Sequence, residues 1–311
     1  MPGNQEIFTS QGIRTQFGLV TPPGARVAAY VRSTGLASGD DAYLANNLVA
    51  TLAQGLAKAR AGYGDFVVVL PGHVESVADG TTFSAALVAG TKIVGLGRGS
   101  EMPTFTWTAT ASQWSVTVAD VFISGLRLLL DGITAVVSAI NVGAGGTDFG
   151  FVGNEIEVST TSKAPTNCIT LAAGATRADI RDNYFRGLAA SVPTNIIVVA
   201  GANTDSNISD NVFICPSVAA TGHVSVTGAA LGLRVLRNRM YNTAAASTVC
   251  VSYAAAASDG IIADNYFGVL NNGTASAQGV TFGAGCLVKA FQNFCTDEPQ
   301  KSGLLSPVAA T

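Results

Sequence analysis

The sequence predicts an all-β chain wound into a solenoid of stacked coils, a parallel β-helix, and three observations carry that expectation. An asparagine recurs at a nearly fixed interval. Each one sits in the same short apolar phrase, and a second short apolar run precedes each phrase. The phrases are 151–156 (FVGNEI), 180–185 (IRDNYF), 208–213 (ISDNVF), 235–240 (VLRNRM), 262–267 (IADNYF) and 290–295 (AFQNFC). Their asparagines are Asn154, Asn183, Asn211, Asn238, Asn265 and Asn293, so the successive gaps are 29, 28, 27, 27 and 28 residues. A period of that size marks repeats that bury their apolar faces by stacking.

Within a phrase, one apolar residue lies three before the asparagine and another two after it. On a flat strand these would face opposite ways, because strand faces alternate with period two. Both can point inward if the chain bends just before the asparagine. Asparagine tolerates the left-handed backbone such a bend needs. Stacked at the ~4.8 Å strand spacing, the six amides form a hydrogen-bonded ladder.

The preceding runs, 168–172 (CITLA), 196–200 (IIVVA), 224–226 (VSV), 249–251 (VCV) and 280–282 (VTF), are short and mostly β-branched, and read as strands. A leucine-rich repeat has a comparable period, but its Leu-x-x-Leu-x-Leu core is missing. The period also runs backwards, through Ile123-Ser124-Gly125-Leu126 with Gly125 in the asparagine's place, through Ile93-Val94-Gly95-Leu96, and through 66–70 (FVVVL). About nine coils of 27–30 residues follow, a rod on the order of 40 Å long.

Ahead of the first coil, Leu44, Leu48, Leu52 and Leu56 fall at i, i+4, i+8 and i+12. That stripe predicts a helix over 42–60, opened by Asp40 and Asp41 and closed before Gly62. It would cover the apolar end of the solenoid, as terminal units must. The order is then a first strand (27–32, VAAYVR), a capping helix, Gly-Asp-Phe-Val-Val-Val-Leu-Pro-Gly at 64–72, Ile-Val-Gly-Leu-Gly at 93–97, and asparagine-marked coils.

On these residues the chain resembles the right-handed parallel β-helix proteins of the pectate-lyase-like superfamily, particularly those of bacteriophage particles, both capsid-decorating and tail-spike-like. The likeness covers roughly residues 27–295. It divides the chain into an N-terminal arm (1–26), a first strand with capping helix (27–64), the β-helix (65–295) and a C-terminal tail (296–311). The arm is polar, holds Pro2, Pro22 and Pro23, and contains no apolar stretch able to act as a signal peptide. The resemblance implies assembly in a host cytoplasm and a place in the virion.

Only 12% of residues are charged, while mean hydropathy is +0.37. That charge share is about half the usual one, and no uninterrupted apolar run reaches membrane-spanning length. The surplus apolar character must therefore be buried in the rod core and in contacts between copies. Three rods side by side would do so, and phage relatives commonly adopt that arrangement, so a homotrimer is expected. A net charge of −3 without Lys/Arg clusters speaks against nucleic acid as a partner. The five cysteines, Cys168, Cys215, Cys250, Cys286 and Cys295, show no metal spacing. Cys168 and Cys250 share a column three coils apart, ~14 Å, too far for a disulfide. Buried, unreactive thiols are expected.

From Asn183 on, the position before the ladder asparagine carries Asp182, Asp210, Arg237, Asp264 and Gln292 on successive coils. Stacked carboxylates can hold Ca²⁺ or act as an acid/base pair. With Arg237 between Asp210 and Asp264, however, the column reads as a self-neutralising charge ladder. The resemblance would put a lyase's calcium-binding aspartates beside a catalytic arginine. Arg181, Arg186, Arg234, Arg237 and Arg239 are available, but no Asp-rich strand accompanies them. A polygalacturonase-like hydrolase would need more than Asn203-Thr204-Asp205 and the faint echo at Thr221-Gly222-His223.

His73 and His223 read as structural. Gly95–Gly99 reads as a glycine-rich turn without a following helix, and no serine elbow, phosphate loop or zinc-helix motif occurs. Trp107 and Trp114 lie in 105–114 (FTWTATASQW), whose alternation predicts an exposed strand, a subunit contact or a sugar-binding patch.

The reading is thus a non-enzymatic virion protein without catalytic residues, metal or cofactor. It is a trimeric β-helix that decorates and stabilises a phage capsid, held to the capsid protein by its N-terminal arm. The alternative is a short tail spike or fibre that binds host surface glycan, with weak depolymerase activity.

Overall fold

A computed structural model describes residues 24–35, 46–130, 136–159, 164–187, 192–217, 221–244, 249–254, 257–269 and 279–295. They form a parallel β-helix. Three parallel sheets of eleven, nine and seven strands run along the rod, joined in the repeating order first, second, third. Nine rungs carry paired first- and second-sheet strands, from Phe66–Val69 with Val74–Val77 to Lys289–Phe291 with Phe294–Cys295. The third sheet begins at Trp114–Val116 and ends at Gly279–Phe282. The tail 296–311, the arm through residue 23 and Leu44 lie outside the described residues.

The core is three apolar columns set by register. The first sheet stacks Ile93, Ile123, Phe151, Ile180, Ile208, Val235 and Ile262. The second stacks Phe105, Leu128, Ile156, Phe185, Phe213, Met240 and Phe267, with Phe185 and Phe213 lying face to face at 4.7 Å. The third stacks Trp114, Ile140, Ile169, Ile197, Val224, Val251 and Val280. All of these are buried. Each phrase therefore turns a corner between the first two sheets, and both its apolar residues do face inward.

The corner is made differently from the sequence expectation. The left-handed residue precedes the asparagine, with φ of 67° at Gly153, 58° at Asp182, 57° at Asp210, 52° at Arg237, 58° at Asp264 and 53° at Gln292. That turn swings the next side chain into the corner, which is why the asparagine is the residue that hydrogen-bonds and the one before it is Gly, Asp or another tolerant polar residue. The register also moves Gly125 out of the asparagine slot. Phe151 pairs with Ile123, so Gly125 is a second left-handed residue (φ 72°) and Leu126 occupies the ladder position.

The predicted nineteen-residue capping helix is replaced by shorter elements. Leu48 and Val49 form a strand paired with Tyr30 and Val31. A new helix then starts at Thr51, whose side chain and that of Gln54 make a reciprocal capping box, and runs only over Leu52–Leu56. The Thr-x-x-Gln signal outweighs the leucine spacing because it satisfies the orphan N–H groups of a helix start. Leu52 and Leu56 are buried against the end of the core. A Cβ at Gly55 would lie 2.8 Å from Val67 Cγ1 and 2.9 Å from Val31 Cγ2, so glycine permits that approach. A second helix, Thr82–Ala86, packs Phe83 on Trp114 at 4.8 Å.

Candidate functional site

The asparagine ladder lies wholly inside the corner. Asn154 Nδ2 donates to Asn183 Oδ1 at 3.2 Å, and the same bond joins Asn183 to Asn211, Asn211 to Asn238, Asn238 to Asn265 and Asn265 to Asn293 at 2.9–3.0 Å. Each lower Oδ1 also accepts the upper asparagine's backbone N–H at 2.9–3.1 Å. With these amides buried and internally satisfied, the ladder binds the chain to itself and offers nothing to a ligand.

The first sheet's outer surface is framed by two charged corners. One is the anticipated column of Asp182, Asp210, Arg237 and Asp264. Arg237 does not balance both aspartates equally. It makes a bidentate pair with Asp210 (2.7 and 2.8 Å) and acts on Asp264 only through longer-range attraction, while Asp182 is taken by Arg181 at 2.9 Å. Side-chain bonding from Arg237 holds the Asp210 carboxyl below the usual range, so it is ionised and unsuited to act as a general acid.

The other corner, between third and first sheets, was missed in the sequence. Asp120, Asp148, Arg177 and Asp205 have φ of 55–57° and recur at the rung interval, with Arg177 bidentate to Asp148 at 2.7 Å. Their spacing of 28, 29 and 28 residues was the available signal, hidden because no neighbouring motif repeats as plainly as Asn. Asn203 of the Asn-Thr-Asp tripeptide is buried in this corner, where it bonds Ala175 O and accepts from Ser206 Oγ.

Between the corners lies an open groove of about 460 Å³, crossing three rungs and lined among others by Arg177, Asp205, Asn207, Arg234 and Arg237. Arg177 and Arg237 are committed to their aspartates, and Asp179 to Arg181 at 2.8 Å. Arg234 and Asp205 hold no hydrogen bond or ion pair through their side chains among the described residues.

The second sheet's outer face carries two columns. One reads Arg127, Glu155, Tyr184, Val212, Arg239, Tyr266 and Phe294; the other reads Leu129, Glu157, Arg186, Ile214 and Tyr241. The charges at its upper part cancel locally: Glu155 lies 3.6 Å from Arg127 and 2.9 Å from Arg186, and Glu157 lies 3.1 and 2.5 Å from the same two. Below this quartet the face turns mainly apolar, with Tyr184, Ile214 and Phe294 at 39%, 40% and 50% exposure, the Tyr241 and Tyr266 rings 5.4 Å apart, and Arg239 as its exposed charge. The third sheet's outward column is Ser115, Asn141, Thr170, Val198, Ser225, Ser252 and Thr281, without one titratable group of acid/base use.

Both tryptophans are core residues, at 1% and 2% exposure, which corrects the expectation of an exposed aromatic patch. The alternation of Phe105 and Trp107 with threonines points the aromatics inward, where Trp114 meets Phe105 and Trp107 at 5.0 and 5.1 Å. His73 is buried at the cap, accepting Ser33 N–H at Nδ1 (3.0 Å) and lying 3.0 Å from Glu75, which itself accepts Leu52 N–H at 2.8 Å. His223 is buried, bonded to Cys215 O at 2.9 Å and stacked on Phe213. Desolvation lowers its pKa to about 4, so it is neutral.

The five cysteines are buried and unpaired with one another. Burial pushes the Cys168, Cys215, Cys250 and Cys286 thiols above their ordinary value. A thiol reagent such as Ellman's is therefore expected to react with the native chain only after denaturation. Rapid labelling of native protein would contradict this burial. Among the described residues no three His, Cys, Asp or Glu side chains form a metal-binding group, and no helix is long and apolar enough to cross a membrane.

No protein-family model matches the chain, and no curated protein matches it. Among solved structures it is similar to one described as the crystal structure of pectin methylesterase in complex with hexasaccharide VII. The TM-score is 0.43 with 10% sequence identity, over 92% of this chain and 98% of that one. At that level the likeness transfers no activity or ligand to this chain.

Proposed function

We propose that the chain is a non-catalytic structural rod that packs against two copies of itself through the outer face of its second sheet. We further propose that the trimer decorates and stabilises a phage particle, anchored by residues 1–26. The observation that carries the assembly reading is the apolar lower half of that face, from Tyr184 to Phe294, beside a quartet whose charges already cancel. Among the described residues Arg239 is the one exposed charge in that half of the face; elsewhere copies meet no like charges, and the exposed rings gain by leaving water. The particle assignment draws on the sequence resemblance over residues 27–295.

Light scattering on the purified chain is expected to give three times 31.5 kDa. Ile214→Glu combined with Phe294→Glu should yield monomers whose circular dichroism is unchanged. A wild-type monomer at micromolar concentration would overturn the assembly reading. Gold labelling of particles should decorate heads; label confined to tails would overturn the capsid assignment. Loss of residues 1–25 should release the protein from particles while the rod stays folded.

A further inference from the structure

We infer that a crevice beside Glu75, at the start of the rod, binds a primary alkylammonium group, the cation carried by a lysine side chain or by a free small amine. The crevice lies at the first strand of the second sheet, Val74–Val77, several rungs above the proposed assembly face. The two ideas therefore stand separately.

Three observations carry it. The first is uncompensated charge. Glu75 Oε2 accepts Leu52 N–H at 2.8 Å and lies 3.0 Å from His73 Nε2. His73 Nδ1 already accepts Ser33 N–H, so the proton of a neutral ring sits on Nε2 and is donated to Glu75. Both partners of Glu75 are thus neutral donors, and its Oε1 holds no hydrogen bond among the described residues. Asp79, on the same crevice, is also held by neutral donors: Thr81 N–H, Thr82 N–H and the Thr82 hydroxyl at 2.6–2.8 Å. These bonds, the Thr82 hydroxyl's first among them, lower its pKa to about 2, so it stays ionised. No lysine or arginine among the described residues lines the crevice.

The second observation is the wall. Leu52, Val77, Phe83 and Trp114 line the same crevice and belong to the buried core. Carboxylates beside apolar side chains suit a cation with a hydrocarbon stem, whose ammonium pairs with Glu75 while its methylenes cover the wall. A bare metal ion would cover none of that wall, and these two carboxylates are too few oxygens to ligate one. The third observation is size. The crevice measures about 100 Å³. A cavity of roughly 150 Å³ holds benzene, so about four or five non-hydrogen atoms fit here. The aminobutyl end of a lysine has that size, whereas the side chain of an arginine is larger. The Glu75 side chain keeps 22% exposure, which leaves its carboxylate reachable from the mouth.

Tryptophan emission of the full chain tests this, because Trp114 lines the crevice. The titrants are n-butylammonium chloride, Nα-acetyl-lysine amide, Nα-acetyl-arginine amide, n-butanol and potassium chloride, all at matched ionic strength. A saturable change is expected with butylammonium, with the lysine amide or with both, and a weaker one or none with the others. Binding of the lysine amide alone makes a partner's lysine the occupant, butylammonium alone makes it a free amine, and binding of both marks a site open to either. Glu75→Gln keeps an acceptor for Leu52 N–H but loses the charge, and should weaken binding roughly ten- to a hundredfold. Ala53→Leu, on the helix at the crevice, should weaken it by filling space with both carboxylates intact. Asp264→Asn, an exposed acid far down the rod, should leave it unchanged. Circular dichroism confirms that each variant is folded; should Glu75→Gln not fold, Ala53→Leu and the butanol comparison decide. No saturable binding of either amine, equal binding of butanol, potassium or the arginine amide, or affinity untouched by Glu75→Gln or by Ala53→Leu would each overturn the inference. Failure of the trimer experiments would not, since the monomeric second-sheet variants retain this crevice.

Discussion

Replacing Asn211 with leucine is expected to cost the fold about 3–6 kcal/mol, a large share of the roughly 5–15 kcal/mol by which domains are stable. Asn211 is fully buried in the middle of the ladder. Its Oδ1 accepts both Asn183 N–H and Asn183 Nδ2 at 3.0 Å, and its Nδ2 donates to Asn238 Oδ1 at 3.0 Å and Ile180 O at 2.9 Å. Leucine removes one side of four bonds and leaves two donors buried without an acceptor. Each such group costs about 1–3 kcal/mol, whereas a bond lost with both partners would cost far less.

Asn211→Asp keeps the acceptors but cannot donate, and it sets a charge against Asn238 Oδ1 in a buried corner. Its folded pKa is therefore raised. Relative to wild type, its penalty is greatest at neutral pH and eases as pH falls toward the ordinary aspartate value of about 3.9. Urea midpoints at matched m-values measure both variants. The leucine change at Asn293, on the last rung, should cost less because that rung can open alone. A loss under about 1 kcal/mol at Asn211 would mean that the ladder contributes register and not stability.

The same ladder explains why so much of the fold was legible beforehand. A buried amide that must meet its counterpart one rung away forces an interval, and the interval is visible without any structure. The flanking apolar pairs, Ile180 with Phe185 or Ile208 with Phe213, then fix the inward faces. What the sequence hid follows from weaker constraints. The left-handed corner position accepts Gly, Asp, Arg or Gln, so the Asp120–Asp148–Arg177–Asp205 column shows no single-letter repeat. The cap was misjudged because leucines at helical spacing can equally serve a strand edge (Leu48) and a short helix (Leu52, Leu56). The tryptophans were misjudged because alternation does not say which face is wet. Candidate surfaces suffered most. Whether Tyr184 is exposed, or Arg234 unpaired, depends on neighbours 27–29 residues away in other rungs, and a local pattern cannot report that.

Asp65 should be the second most sensitive position, through a different mechanism. Its side chain is fully buried at the first rung and gathers the chain's entry into the rod. It accepts Arg26 N–H at 3.1 Å, Arg60 N–H at 3.1 Å, and Arg60 Nε and Nη2 at 2.8 Å each. Burial alone would raise its pKa, but the Arg60 side chain and the two backbone donors outweigh that and hold the carboxyl below the ordinary value.

Asp65→Ala leaves two backbone donors and a guanidinium uncompensated, and is expected to cost about 3 kcal/mol. Because the folded pKa is depressed, the stabilisation is present at all pH values above the unfolded value of about 3.9. It is lost as pH falls through the folded one, so the gap between wild type and Asp65→Ala should be constant near neutrality and close in acid. A gap that widened on acidification would contradict this account.

The damage should also be local at first. In a solenoid each unit is held mainly by its neighbours, so hydrogen exchange should accelerate over the helix Leu52–Leu56 and the strand Phe66–Val69 before it does around the asparagine ladder. Simultaneous loss of protection along the whole rod would instead mean that the cap and the ladder unfold as one unit, and that the first rung is required for the stability of all the others.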